Sequence, residues 1–238
     1  MKSVNLDLNN WKDYKNVWTH SLWIIDKRNN KYGDCKFHGN FIHEIPYQMM
    51  MRYTKTEDWV LDPAAGSGTT GDVAKELGRN CDMYDLNPIR KDIKEGDTLT
   101  SHYPREYDLI IFHPPYSNII SYSNKENDLS SVKDYKEYLD KFKKAVLNLN
   151  RYLKSGHYFI LVCGEVWERG EEIPLGFYCS EIIREIGYIR KGVIVKNYGD
   201  TEGGKVYNRK NKALQRYRHL KNGTWEFSFD MIWVMKKK

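Results

Sequence analysis

The chain has 238 residues, of which 40% are hydrophobic, 14% aromatic and 29% charged, and it carries a net charge of +6. That composition supplies one full core and excludes a disordered chain. No apolar run reaches the roughly 20 residues of a membrane span. The opening MKSVNLDLNNWKDYK has no apolar centre of the signal-peptide kind, so the expectation is one cytoplasmic domain over residues 1–238.

In chain order, residues 1–35 are polar and aromatic, with Trp11, Trp18 and Trp23, and show no regular period. They are expected to wrap the core, because three tryptophans are seldom left in water. The segment 45–53, IPYQMMMRY, predicts a helix with Pro46 in its first turn. A strand over 59–62 leads into a glycine-rich loop and a helix near 71–77, and a second strand around 81–84 ends at Asp85-Leu86-Asn87-Pro88. The run 108–112 predicts a buried strand ending at His113-Pro114-Pro115-Tyr116. A polar loop (117–131), a long helix (132–153) and a strand (158–162) follow, and two late strands at 192–195 and 225–235 flank a basic segment. Alternating strands and helices predict an α/β fold with a parallel sheet covered on both faces.

Cys35, Cys81, Cys163 and Cys179 are far apart and form no C-x-x-C pair, so they read as buried free thiols, and no metal site is expected. The charge is unevenly placed. Lys205, Arg209, Lys210, Lys212, Arg216, Arg218 and Lys221 face the single acid Glu202 between residues 201 and 224, so this stretch carries the whole excess of the chain. A charge run is usually a solvated face; this one also fits an insertion over 200–224 that lies along a phosphate backbone.

Two loops carry the chemistry. Asp62-Pro63-Ala64-Ala65-Gly66-Ser67-Gly68-Thr69-Thr70 follows a buried strand, as does His113-Pro114-Pro115-Tyr116, so both emerge at the carboxyl edge of the sheet, where such folds bind ligands. Thr69 after Gly68 argues against a nucleoside-triphosphate phosphate loop, which needs Lys there. The pattern G-x-G-x-x-G at 66–71, with Asp85 about 20 residues on, also permits a nicotinamide-dependent oxidoreductase. Asp85 suits a ribose diol, because one carboxylate can accept from both hydroxyls. Asp97 suits either an adenine amino group or a turn.

Together the two loops resemble the S-adenosylmethionine-dependent methyltransferases that modify exocyclic amino groups of DNA bases. The family's first motif reads D-P-F-x-G-S-G-T-T, and its catalytic motif is Asp, Asn or Ser followed by P-P-Y. His38-Gly39-Asn40-Phe41, followed by Ile45-Pro46, looks like the segment that closes over the methionine end of the cofactor. The resemblance covers roughly residues 36 to 165. It implies the Rossmann-like class I methyltransferase fold, a doubly wound, mostly parallel seven-stranded sheet with an antiparallel late strand. It also implies S-adenosyl-L-methionine as cofactor, held by Asn40, Phe41, Asp62, Pro63, Ala64, Gly66, Gly68, Thr69, Thr70, Asp85, Leu86 and Asp97, and double-stranded DNA as substrate. A modification role in a restriction or defence system is a further implication.

The resemblance assigns acceptor roles at the base amino group to His113 and the Pro114 carbonyl, and stacking on a flipped base to Tyr116. Pro114 and Pro115 fix the backbone, so the acceptors are preorganised. His113 departs from the family's Asp, Asn or Ser. A neutral imidazole can accept where imidazolium only donates, so activity is expected to fall as pH drops through its pKa. With no acidic side chain at that position, cytosine N4 is preferred slightly to adenine N6. RNA base methylation and a non-catalytic nucleic-acid-binding subunit are the alternatives.

Overall fold

A computed structural model describes residues 5–25, 28–34, 37, 39–117, 123, 125–197 and 209–238. A 3-10 helix at Leu8–Asp13 and a two-residue strand β1 (Leu22–Trp23) precede helix α1 (Glu44–Tyr53). Strand β2 (Trp59–Asp62), helix α2 (Thr69–Leu77), β3 (Asn80–Asp85), the short β4 (Lys94–Glu95) and β5 (Tyr107–Phe112) follow. Helix α3 (Tyr135–Asn150), β6 (Leu153–Cys163), the hairpin β7 (Val166–Glu168) and β8 (Glu171–Ile173), α4 (Leu175–Glu185), β9 (Tyr188–Asn197), α5 (Arg209–Asn222) and β10 (Phe229–Lys237) complete the order.

All strands but the β7–β8 hairpin form one sheet in the order β1-β9-β10-β6-β5-β2-β3-β4. β10 runs antiparallel to both its neighbours and every other pairing is parallel. This is the expected doubly wound α/β sheet with an antiparallel late strand, but among the described residues it has eight strands rather than seven. The eighth comes from the amino-terminal segment, where Leu22 and Trp23 pair with Val195 and Lys196 on the open edge of β9. Their backbone partners lie so far along the chain that no local period could announce them. Trp23 is 3% exposed, whereas Trp11 is 61% exposed, which corrects the expectation that all three tryptophans leave water.

The core lies on both faces of the sheet, as consecutive side chains of a strand point to opposite sides. Ile110 and Phe112 of β5 pack with Phe142 and Val146 of α3 and Ile183 of α4, whereas Leu109 and Ile111 pack with Met49 and Met50 of α1 and Val73 of α2. At roughly 1.5–3 kcal/mol for each large side chain so buried, these two layers hold the ends of β2 and β5 in fixed relation. The α3 helix starts at Tyr135, later than expected, because the Asp134 side chain accepts from the backbone N–H groups of Lys136 and Glu137, both at 3.0 Å, and so caps it. The basic segment, expected as an insertion over 200–224 between two late strands, contains α5 inside the β9–β10 connection. β10 is an interior strand, between β9 and β6.

Candidate active site

The chain reverses its direction of travel across the sheet between β2 and β5, and the crevice outside their carboxyl ends holds a cavity of about 320 Å³. This is the switch point at which open α/β sheets bind ligands. Both loops singled out in the sequence line it. Pro63, Ala64, Gly66, Asp85, Leu86 and Asp97 contribute one part of the wall, and His113, Pro114, Pro115 and Tyr116 another; Asn40 and Phe41 also line it.

Asp62, Gly68, Thr69 and Thr70 are not among the residues that line this cavity; they brace the loop that does. Asp62 is fully buried, accepting from the Thr70 hydroxyl at 2.5 Å and from the Ala64 backbone N–H at 3.2 Å. Burial pushes its carboxyl up to about 7, against the pull of those two hydrogen bonds. The Thr69 hydroxyl donates to Asn40 Oδ1 at 2.7 Å, tying the amino-terminal segment to the loop. Gly68 opens α2 in the left-handed region (φ +82°), where a Cβ would strike the Arg90 guanidinium at 2.5 Å. Gly66 has φ +51°, and a Cβ there would meet Phe37 at 2.7 Å, so the wall requires bare backbone at this point.

Asp85, at the end of β3, accepts from the Gly66 N–H at 2.9 Å and from the Asn87 N–H at 2.8 Å. Each oxygen has a second lone pair, so the carboxylate shapes the loop and can still accept from a diol. Asp97 lines the cavity while closing a turn: it accepts from Leu99 N–H, the Thr100 hydroxyl and Asn127 Nδ2. A turn role and a place in the wall are thus compatible in this residue.

His113 is half-buried, with the Phe41 ring edge-on to it at 5.2 Å. Its Nε2 lies 2.9 Å from the Tyr116 hydroxyl, which donates to Asp230 Oδ1 at 3.1 Å; Asp230 is in turn paired with Lys196 at 2.8 Å. Desolvation lowers the His113 pKa to about 4, Asp230 pulling it up and Lys196 pushing it down by less. The imidazole is therefore neutral through the physiological range and retains one acceptor nitrogen.

Residues 2–95 match a family model described as DNA methylase. Over that segment the chain is similar to DNA methylases. The matched segment includes the glycine loop and Asp85 and stops short of His113. Among curated proteins, the chain is 41% identical over 73 residues to the type II methyltransferase M2.LlaDCHI of Lactococcus lactis subsp. cremoris, covering 31% of this chain and 26% of that one. It is 42% identical over 74 residues to the type II methyltransferase M2.DpnII of Streptococcus pneumoniae, with the same coverage. The match thus spans about a quarter of the length of each relative. Among solved structures, a class I S-adenosylmethionine-dependent methyltransferase from Listeria monocytogenes superposes with a TM-score of 0.52 at 12% identity, over 82% of this chain and 58% of that one. TrmN from Thermus thermophilus superposes with a TM-score of 0.51 at 14% identity, over 86% of this chain and 51% of its own. These likenesses show the class I methyltransferase fold.

Of the basic residues, Lys205 lies outside the described residues. Arg209, Lys210 and Lys212 fall on the backbone of α5, and Arg216, Arg218 and Lys221 are exposed on that helix. β9 runs in the same direction as β6 and β5, so its end delivers α5 to the same sheet edge as the His113 loop. Sequence reading missed Phe37, Ile89, Leu99, Asn127 and Leu129 of the cavity wall, and Arg90, which donates to the Ser67 carbonyl at 2.9 Å and to Asp72. It also missed Asp230, whose one available signal was a lone acid inside the apolar run Phe229 to Met235. Cys163 and Cys179 are buried free thiols and Cys81 is half-buried, while Cys35 lies outside the described residues. Among the described residues no helix is long and apolar enough to cross a membrane.

Proposed function

We propose that this protein transfers a methyl group from S-adenosyl-L-methionine to an exocyclic amino group of a base in double-stranded DNA, with cytosine N4 preferred to adenine N6. The observation that carries the reading is the single cavity shared by the glycine loop, Asp85 and the His113-Pro114-Pro115-Tyr116 loop. The wall fits the cofactor. Gly66 exposes bare backbone where any side chain would strike Phe37, Asp85 has lone pairs for a ribose diol, and Leu86, Ile89 and Leu99 offer apolar surface to a flat ring. Asn40 and Phe41 would close over the methionine end. The bound cofactor supplies an electrophilic methyl group on a sulfonium sulfur.

The residues of the chain handle the base. An exocyclic amine is a weak nucleophile because its lone pair is delocalised into the ring. Acceptors at its two N–H groups, the neutral His113 imidazole and the Pro114 carbonyl, draw the nitrogen toward a tetrahedral geometry and stabilise the positive charge that develops on it. These acceptors would hold the amino nitrogen as it takes up the methyl group that the bound cofactor would supply, and the proton the nitrogen then sheds would pass to solvent. Tyr116 supplies a ring face for the base, which must leave the duplex stack to reach the cavity. The exposed Arg216, Arg218 and Lys221 of α5, together with Lys205, Arg209, Lys210 and Lys212, give phosphate contacts, and loops at the same edge read the site.

The test is transfer of labelled methyl groups to matched pools of duplex DNA and RNA, followed by nucleoside mass analysis. N4-methylcytosine in DNA is the expected product. N6-methyladenine in DNA would overturn the choice of base, label on RNA alone the choice of nucleic acid, and no label with intact cofactor binding the catalytic reading. Co-purification of an endonuclease is the corresponding check on a restriction partner.

A further inference from the structure

The geometry points to Asp230 as a positioning residue that, through the Tyr116 hydroxyl, fixes His113 in the tautomer whose Nδ1 accepts from the base amino group. This deepens the proposed function and rests on it. The available protons decide the tautomer. Asp230, paired with Lys196 as a carboxylate at 2.8 Å, can only accept. The single proton of the Tyr116 hydroxyl therefore goes to Asp230 Oδ1, 3.1 Å away. Its oxygen is left with lone pairs alone for His113 Nε2 at 2.9 Å, so Nε2 must carry the ring proton. A neutral imidazole protonated at Nε2 has its lone pair on Nδ1. The opposite tautomer would present an N–H where the amino group needs an acceptor.

The arrangement is built, not incidental. Asp230 stands on interior strand β10 and is 8% exposed, Lys196 on the neighbouring strand β9 is 7% exposed, and the two are direct cross-strand partners. Phe41 edge-on at 5.2 Å and the Tyr116 ring at 5.4 Å limit rotation of the imidazole. Asp, Asn or Ser in place of His113 would have no tautomer to set; histidine creates the need and the Tyr116–Asp230 pair meets it. Among the described residues, the charged groups that act on the His113 imidazole are Asp230 and Lys196.

Asp230→Asn is the discriminating variant because Lys196 can only donate. The new amide must turn its oxygen to Lys196 and its NH2 to Tyr116, whose hydroxyl then accepts from that NH2 and donates to Nε2, moving the ring proton to Nδ1. The experiment measures the 15N shifts of the His113 imidazole, the cofactor Kd and kcat on DNA for the wild type, Asp230→Asn, Tyr116→Phe and the double variant. The expected result is protonated Nε2 in the wild type, protonated Nδ1 in Asp230→Asn, and kcat lowered roughly tenfold or more with the cofactor Kd unchanged. In the Tyr116→Phe background, Asp230→Asn is expected to lower kcat no further, as two members of one chain are not additive. Protonated Nδ1 in the wild type, an unmoved tautomer in Asp230→Asn, or independent additive losses would each overturn the inference. A moved tautomer with unchanged kcat would overturn the positioning role. A wild type with protonated Nε2 that methylates neither DNA nor RNA would instead bring down the proposed function, and the positioning role with it, so the two failures are distinguishable.

Discussion

At the scale of single residues, the proposed function turns on a histidine kept neutral. Desolvation holds His113 near 4, well below the ordinary imidazole value, and only the neutral ring can accept. The neutral form is fully populated above that pKa and is lost as pH falls through it. With cofactor and DNA saturating, kcat is therefore expected to hold from roughly pH 8 to roughly pH 5 and to fall only toward about 4. A single-proton loss near the ordinary histidine value would contradict the assignment. His113→Ala is expected to lower kcat by about 100-fold or more, the scale of one missing transition-state acceptor, with cofactor affinity nearly unchanged; single-turnover transfer and calorimetry separate the two. The sequence carried the identity of this residue and its departure from Asp, Asn or Ser. The value of its pKa depends on what encloses it, and no nearby stretch of sequence reveals Asp230 or Lys196.

At the scale of elements, the glycine loop and α5 make separate contributions. Gly66→Ala places a Cβ against Phe37 at φ +51°, so a loss of about 1–3 kcal/mol of stability and at least roughly tenfold in cofactor affinity is expected, read by thermal melting and calorimetry. The loop itself was legible from residue types, because positive φ at 66 and 68, after an apolar strand, favours glycine at both. Which of its residues face a ligand was not. Asp62, Thr69 and Thr70 make hydrogen bonds that brace the loop, which residue types alone do not reveal, since the direction of a side chain in a tight turn is decided by what packs behind it. For α5, replacing Arg216 and Arg218 with Ala is expected to weaken duplex binding and reduce the slope of log K against log salt by about 2, one for each phosphate no longer neutralised. An unchanged slope in a binding titration would remove α5 from the interface. Its helical form was hidden in the sequence, because a strongly polar run shows no apolar period and only the β9–β10 pairing fixes where it emerges.

At the scale of the whole molecule, two apolar layers on one sheet hold the ends of β2 and β5 beside each other. Ile110 of the central strand is fully buried on the face that α3 covers, so Ile110→Ala is expected to cost about 2–5 kcal/mol in chemical denaturation. Because the same strand carries the His113 loop, that variant is also expected to lower kcat more than cofactor affinity. The amino-terminal segment belongs to this scale as well: β1 extends the sheet at the edge opposite β4, and the Thr69–Asn40 hydrogen bond fastens the chain that follows it onto the glycine loop.

The alternation of apolar runs and the residue types of two loops determined the fold class and the edge of the sheet at which the glycine loop and His113 emerge, because strand period and turn residues are local properties. The tertiary structure alone decided that the sheet has eight strands, that α5 and the His113 loop share an edge, and that Asp230 reaches Tyr116. Each of those depends on pairings between residues far apart in the chain, as Leu22 with Val195 and Tyr116 with Asp230, which a chain reveals only when it has closed on itself.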